Sequence, residues 1–177
     1  LCLQSEDINT TWGPGANATP TQGTEETPDG DTTNKYIKLV DDGGTGTGQV
    51  RINQVITVAA ETKYTGSVFL KADGLNWAAI QAGDTGGVDD DPFQYFDLDN
   101  GVLGTGSAGI QDATIEAYPN GWYRCSITWT QGVGDTSFQF RIFVADADND
   151  ISVDLDGTSS IFVWGAQVEA SPIATSY

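Results

Sequence analysis

The chain contains no histidine and no methionine, and only 7 of its 177 residues are Lys or Arg, against 25 Asp or Glu. Without histidine there is no Ser-His-Asp or Cys-His machinery and no His-ligated zinc or iron centre. The formal net charge of −18 opposes association with nucleic-acid backbones and with anionic lipid. No apolar run approaches the roughly 20 residues that a membrane span needs, so no membrane insertion is expected. Without methionine nothing here starts translation, and no signal-peptide pattern opens the sequence. We therefore expect a segment of a longer polypeptide.

What is present points to β-structure. There are 7 Phe, 5 Trp and 6 Tyr, far too many for a disordered acidic chain. Gly is the residue of turns and Thr a residue of strands, and the chain has 22 of the first and 21 of the second. Short alternating segments lie near 1–4, 35–40, 49–58, 63–72, 76–82, 93–98, 112–117, 122–130, 137–145 and 160–169. Between them stand turn signals such as Asp99-Asn100-Gly101, Asn120-Gly121 and Asp156-Gly157, and residues 9–34 form a long polar loop. Neither helical periodicity nor a repeat of 20 to 50 residues is found. This pattern predicts one all-β domain, a two-sheet antiparallel β-sandwich of jelly-roll type.

Alternation assigns faces. Phe138, Phe140, Ile142 and Val144 face inward against Gln139, Arg141 and Phe143. Tyr123, Cys125, Ile127 and Trp129 oppose Trp122, Arg124, Ser126 and Thr128. Val68 and Leu70 oppose Ser67, Phe69 and Lys71, and Ala78 and Ile80 oppose Trp77, Ala79 and Gln81.

A set of segments in this order carries a resemblance. They are Ser5-Glu6-Asp7 with Trp12, Tyr64-Thr65 running to Leu70-Lys71-Ala72, Phe96-Asp97-Leu98 with Gly101, Asn120-Gly121-Trp122-Tyr123-Arg124-Cys125, and Trp164-Gly165-Ala166-Gln167-Val168-Glu169 with Thr175-Ser176-Tyr177. Together they resemble the carbohydrate-binding-module-like jelly-roll domains of phage virion proteins (tail, fibre or decoration) and of secreted polysaccharide-active enzymes. The resemblance implies a β-sandwich without catalytic residues, used for display, adhesion or glycan binding at a virion surface or outside the cell. The chain departs from such domains at Gly66, where a larger residue is usual, and in the acidic run Asp89-Asp90-Asp91.

The leading candidate ligand site collects the outward residues Lys71, Trp77, Gln81, Arg124, Gln139, Arg141 and Phe143. If their strands are neighbours, they make one open face on which an aromatic ring stacks on a pyranose while Arg, Lys and Gln donate to hydroxyls or carboxylates. The same residues also read as a solvated face whose cations offset excess carboxylates. Among the other tryptophans, Trp129 reads as packing, Trp122 and Trp164 as structural, and Trp12 as either a cap or a site wall.

Acidic clusters suggest a structural Ca2+. Glu6, Asp29, Asp31 and Gln167 are the first candidates, if the first strand, the early loop and the last strand meet. Asp146-x-Asp148-x-Asp150 starts like an EF-hand loop but has Ile151 where Gly and Gly157 where Glu are required. Cys2 and Cys125 form a candidate disulfide that would stabilise by about 4 kcal/mol through loop closure; two buried thiols are the alternative. Glycosidase chemistry needs a carboxylate pair, and no motif marks one such as Glu116 with Asp112. The expected partners are a polysaccharide or cell-surface glycan and other virion or extracellular subunits, including copies of the chain. Two further readings stay open, a purely structural virion domain and an accessory module of a polysaccharide-degrading enzyme.

Overall fold

Alternating side chains need two walls, one to bury each apolar face, and the chain supplies both. The computed structural model describes residues 11–23, 25–33, 36–84 and 91–176. One six-stranded antiparallel sheet runs β1 (Gly13–Pro14), β5 (Val50–Thr57), β12 (Ser137–Ala145), β7 (Trp77–Asp84), β8 (Phe93–Asp97), β9 (Val102–Gly106). The second, also six-stranded, runs β10 (Asp112–Ala117), β11 (Tyr123–Thr130), β6 (Lys63–Ala72), β14 (Ser160–Glu169), β3 (Ile37–Val40), β2 (Thr21–Gln22). A small pair joins β4 (Thr47–Gly48) to β13 (Val153–Asp154). The chain crosses directly between the two large sheets from β1 to β2, β5 to β6, β6 to β7, β9 to β10 and β11 to β12. This is the expected jelly-roll sandwich. The expected strand at 1–4 lies outside the described residues.

The core between the sheets holds the inward sets read from the sequence. Val68, Leu70, Ala78, Ile80, Cys125, Ile127, Trp129, Phe138, Phe140, Ile142 and Val144 pack together with Trp12, Ile52, Phe96, Val163 and Val168. Each fully buried large apolar side chain stabilises by about 1.5–3 kcal/mol. Trp12 stacks edge-on against Phe140, 5.9 Å between ring centres, so it belongs to the core. Gly66 has a specific reason to lack a side chain. A Cβ there would stand 2.6 Å from the Phe140 ring. The space beside Gly66 is filled from the opposite sheet by Phe140.

Candidate functional site

The structure divides the expected single face in two. Lys71 lies on β6 and Arg124 on β11, both on the outer side of the second sheet. Trp77, Gln81, Gln139, Arg141 and Phe143 lie on β7 and β12, on the outer side of the first. The two groups are therefore on opposite sides of the sandwich. Alternation gives the in-or-out sense of a strand but not its sheet, and that is why the sequence merged them.

The outer side of the second sheet is closed. The early loop folds over it and adds a second aromatic cluster of Tyr36, Phe69, Trp122, Phe162 and Trp164. Trp122 is fully buried, and its Nε1 donates to the Glu26 carbonyl at 2.9 Å. Lys71 is drawn into this lid through an ion pair with Glu25 at 2.5 Å, with its Nζ 5.7 Å from the centre of the Phe162 ring. Arg124 is 8% exposed and ties down the C-terminal segment. Its Nη2 donates to Ser67 Oγ at 3.1 Å, Gln167 Oε1 at 2.9 Å and the Thr175 carbonyl at 2.6 Å. Glu169 accepts from the Thr175 N–H at 2.8 Å and from its hydroxyl at 2.5 Å. The Asn-Gly-Trp-Tyr-Arg and Trp-Gly-Ala-Gln-x-Glu segments thus meet as one clasp. The main chain allows this through a register shift between Trp164 and Gln167, where Gly165 adopts φ +61.

A cleft of about 170 Å³ remains between β10, β11 and residues 172–174. Asp112 and Glu116 line it, with Thr114, Ser126 and Thr128 between them.

The outer side of the first sheet is open in its polar part. On β12, Arg141 donates from Nε to Gln139 Oε1 at 3.0 Å and from Nη1 to Gln81 Oε1 on β7 at 2.9 Å. Its Nη1 also forms an ion pair with Asp91, at 3.6 Å. A Cβ on Gly83 would collide with this guanidinium, so the bare glycine makes its seat. Arg51, on β5, lies with its guanidinium carbon 5.6 Å from the centre of the Phe143 ring and donates to Gln49 Oε1 at 2.6 Å. Burial, and then the neighbouring positive charge of Arg141, push the Arg51 pKa down.

Aromatic residues continue the face. Phe143 is 2% exposed and forms the floor with Ala79, Ala145 and Tyr95, while Phe93 and Trp77 pack against it and remain partly open. Phe93 stands 5.0 Å from Tyr95 and 5.4 Å from Phe143. Beside them a cleft of about 180 Å³ is lined by Phe93, Tyr95, Thr105, Gly106, Ser107 and Asn149. Burial, then Asp150 and Asp148, raise the Tyr95 pKa, so its hydroxyl stays protonated. Such a cleft is smaller than the usual ligand cavity of about 300–1,000 Å³, so a ligand would lie along it, not inside it. The sequence reading missed Arg51, Phe93 and Tyr95. The alternation of 49–58 and 93–98 carried the signal, since Ile52 and Phe96 inward force these residues outward.

The described members of the acidic clusters are engaged in hydrogen bonds of the fold. Asp29 and Asp31 accept from the main-chain and hydroxyl groups of their own turn, Asp29 from Thr27 Oγ1 and Asp31 from the Thr33 N–H at 2.7 Å. Gln167 is engaged by Arg124, and Glu6 lies outside the described residues. Asp148 receives the Thr105 N–H at 2.7 Å and its hydroxyl at 2.9 Å, pinning the edge strand β9. Among the described residues, no three His, Cys, Asp or Glu are grouped to hold a metal ion. Asp89 and Asp90 lie outside the described residues. Cys125 is a free thiol sealed in the core, its pKa raised well above normal by burial. Of the two expected arrangements, Cys125 therefore stands as the buried thiol; Cys2 lies outside the described residues.

No protein-family model and no curated protein matches the chain. Solved structures do share its fold, a two-sheet jelly roll. The module TmCBM61, solved with β-1,4-galactotriose, superposes with a TM-score of 0.51 at 11% identity, covering 94% of this chain and 96% of that one. The enzymatically active domain of tailspike protein 4 from bacteriophage CBA120 superposes with a TM-score of 0.52 at 14% identity over 93% of this chain. The present chain spans only 20% of that tailspike chain.

Proposed function

We propose that the chain is a non-catalytic carbohydrate-binding module, displayed outside the cell or on a virion, that lays a glycan along the outer side of its first sheet. The observation that carries this reading is the pairing of partly open aromatics, Trp77 and Phe93, with amides and guanidinium groups fixed on the same open face. Rings offer flat apolar surface to a sugar, and the fixed polar groups meet its hydroxyls. TmCBM61 holding a galactotriose on the same fold supports the ligand class. A glycan array with Trp77→Ala and Arg141→Ala variants tests it. Loss of a hit in these variants supports the face, and an unchanged hit removes it.

A second reading, a structural virion domain, is favoured by the edge strand β9, where Val102 is 50% and Leu103 44% exposed. Such a strand can pair with another subunit. Light scattering showing a stable oligomer that Leu103→Lys dissociates would favour it.

A further inference from the structure

We propose that the glycan recognised by the first sheet carries an anionic group, a carboxylate or a sulfate ester, received between Arg51 and Arg141. The proposal rests on the reading of that face as a glycan surface and specifies its ligand.

The argument starts from scarcity. A chain with 25 acidic and 7 basic side chains has carboxylates to spare for every cation. On the second sheet it uses them, with Lys71 against Glu25 at 2.5 Å and Lys38 against Asp73 at 2.6 Å. On the first sheet it places two cations together instead. Arg141 is in register with Asn53, and Phe143 with Arg51, so the arginines are diagonal neighbours across β5 and β12. Diagonal positions lie about 7–8 Å apart at the backbone, within reach of long side chains. Among the described residues Arg51 meets no carboxylate, and its Nε is buried without a hydrogen-bond partner. Arg141 has Asp91 at 3.6 Å, longer than the roughly 2.7–2.9 Å of a charge-assisted hydrogen bond. Among the described residues, therefore, neither guanidinium has a carboxylate at charge-assisted hydrogen-bond distance, and the two positive charges stand side by side.

A carboxylate or sulfate fits this gap. Each presents several acceptor oxygens to guanidinium forks and cancels the repulsion between them. The net charge of −18 does not prevent it. At physiological salt the Debye length is about 8 Å, so distant acidic loops are screened while contact pairs are not.

Titration calorimetry at about 0.15 M salt tests the proposal with three galactose-based probes: a neutral β-1,4-galacto-oligosaccharide, an oligogalacturonate, and a sulfated carrageenan oligosaccharide. The proteins are the unmodified chain, Trp77→Ala, Arg51→Gln and Arg141→Gln, each first shown to melt cooperatively. We expect at least one anionic probe to bind about tenfold more tightly than the neutral one. Either arginine substitution weakens anionic binding by about tenfold more than neutral binding and so removes that margin. Preference for galacturonate assigns a carboxylate ligand, and preference for carrageenan a sulfate. If Arg141→Gln fails to melt cooperatively, Arg51→Gln alone decides. Anionic probes that bind no better than the neutral one, with the neutral one still lost in Trp77→Ala, overturn this proposal and leave the glycan face intact. If no probe binds, or Trp77→Ala changes nothing, the underlying reading falls with it.

Discussion

The two outer sides of this sandwich begin with the same ingredients and end differently. Each presents aromatic side chains, amides and basic residues on alternating strand positions. On the second sheet the early loop and the C-terminal segment fold over them, and Lys71 and Arg124 are spent on Glu25, Gln167 and Thr175. On the first sheet the amides Gln81 and Gln139 hold Arg141 on a face that stays partly open. An arginine committed to its own main chain is part of the fold. One held by neutral amides, with its carboxylate at 3.6 Å and another cation beside it, is committed less fully.

Substitutions on the two sides should separate these roles. The largest contrast is between tryptophans. Trp122→Ala should cost about 3–5 kcal/mol in denaturant unfolding, from lost packing and an abandoned Glu26 carbonyl. Trp77→Ala, on the half-open side, should cost about 1 kcal/mol and instead reduce glycan binding. A stable Trp122 variant would mean that the lid is an ornament.

Next come the arginines. Arg124→Ala should destabilise by about 2–3 kcal/mol and raise hydrogen exchange at Thr175, because it strands the acceptors on Ser67, Gln167 and Thr175. Arg141→Ala should stay within about 1 kcal/mol of the parent. Equal costs would erase the distinction.

Acid should act on both sides at once. Burial alone would raise the Asp97 pKa, but donation from the Asn100 side chain and from the Asn100 and Asp99 N–H groups prevails and holds it low. Burial likewise opposes, and donation from Lys38 and Ser160 then outweighs it, at Asp73. Both folded values lie below the unfolded one of about 3.9, so their contribution is complete above that pH. It is lost as pH falls through the lowered folded values. Melting temperature should hold above about pH 5 and fall below about pH 4. Asp97→Asn and Asp73→Asn should flatten that fall.

The smallest effect on stability is expected at Gly83→Ala. The new methyl group displaces the Arg141 guanidinium while the sheet stays paired, so ligand affinity should drop with melting temperature nearly unchanged.

Much of this was legible in the sequence, because alternation is enforced locally. Phe138, Phe140, Ile142 and Val144 had to share a face whatever the fold. Whether β6 and β7 share a sheet is a property of chain crossings, which no local period encodes. That is how Lys71 and Arg124 were grouped with Arg141. Strand β9, Val-Leu-Gly-Thr-Gly, escaped notice because its glycines weaken the strand signal and Asp148 fastens it from 43 residues away. The lid was hidden for a similar reason, since a polar loop announces itself as solvated even when Thr27 within it is buried.

The clamp on Arg141 has a consequence for binding kinetics and selectivity. A free arginine samples many rotamers, and ordering one on association forfeits about 0.5–1.5 kcal/mol. Here Gln81 and Gln139 have frozen the rotor during folding, so that loss is charged to the monomer. A ligand on this face would meet a rigid template, and one whose polar groups missed the template by an ångström could not call on the side chain to follow it.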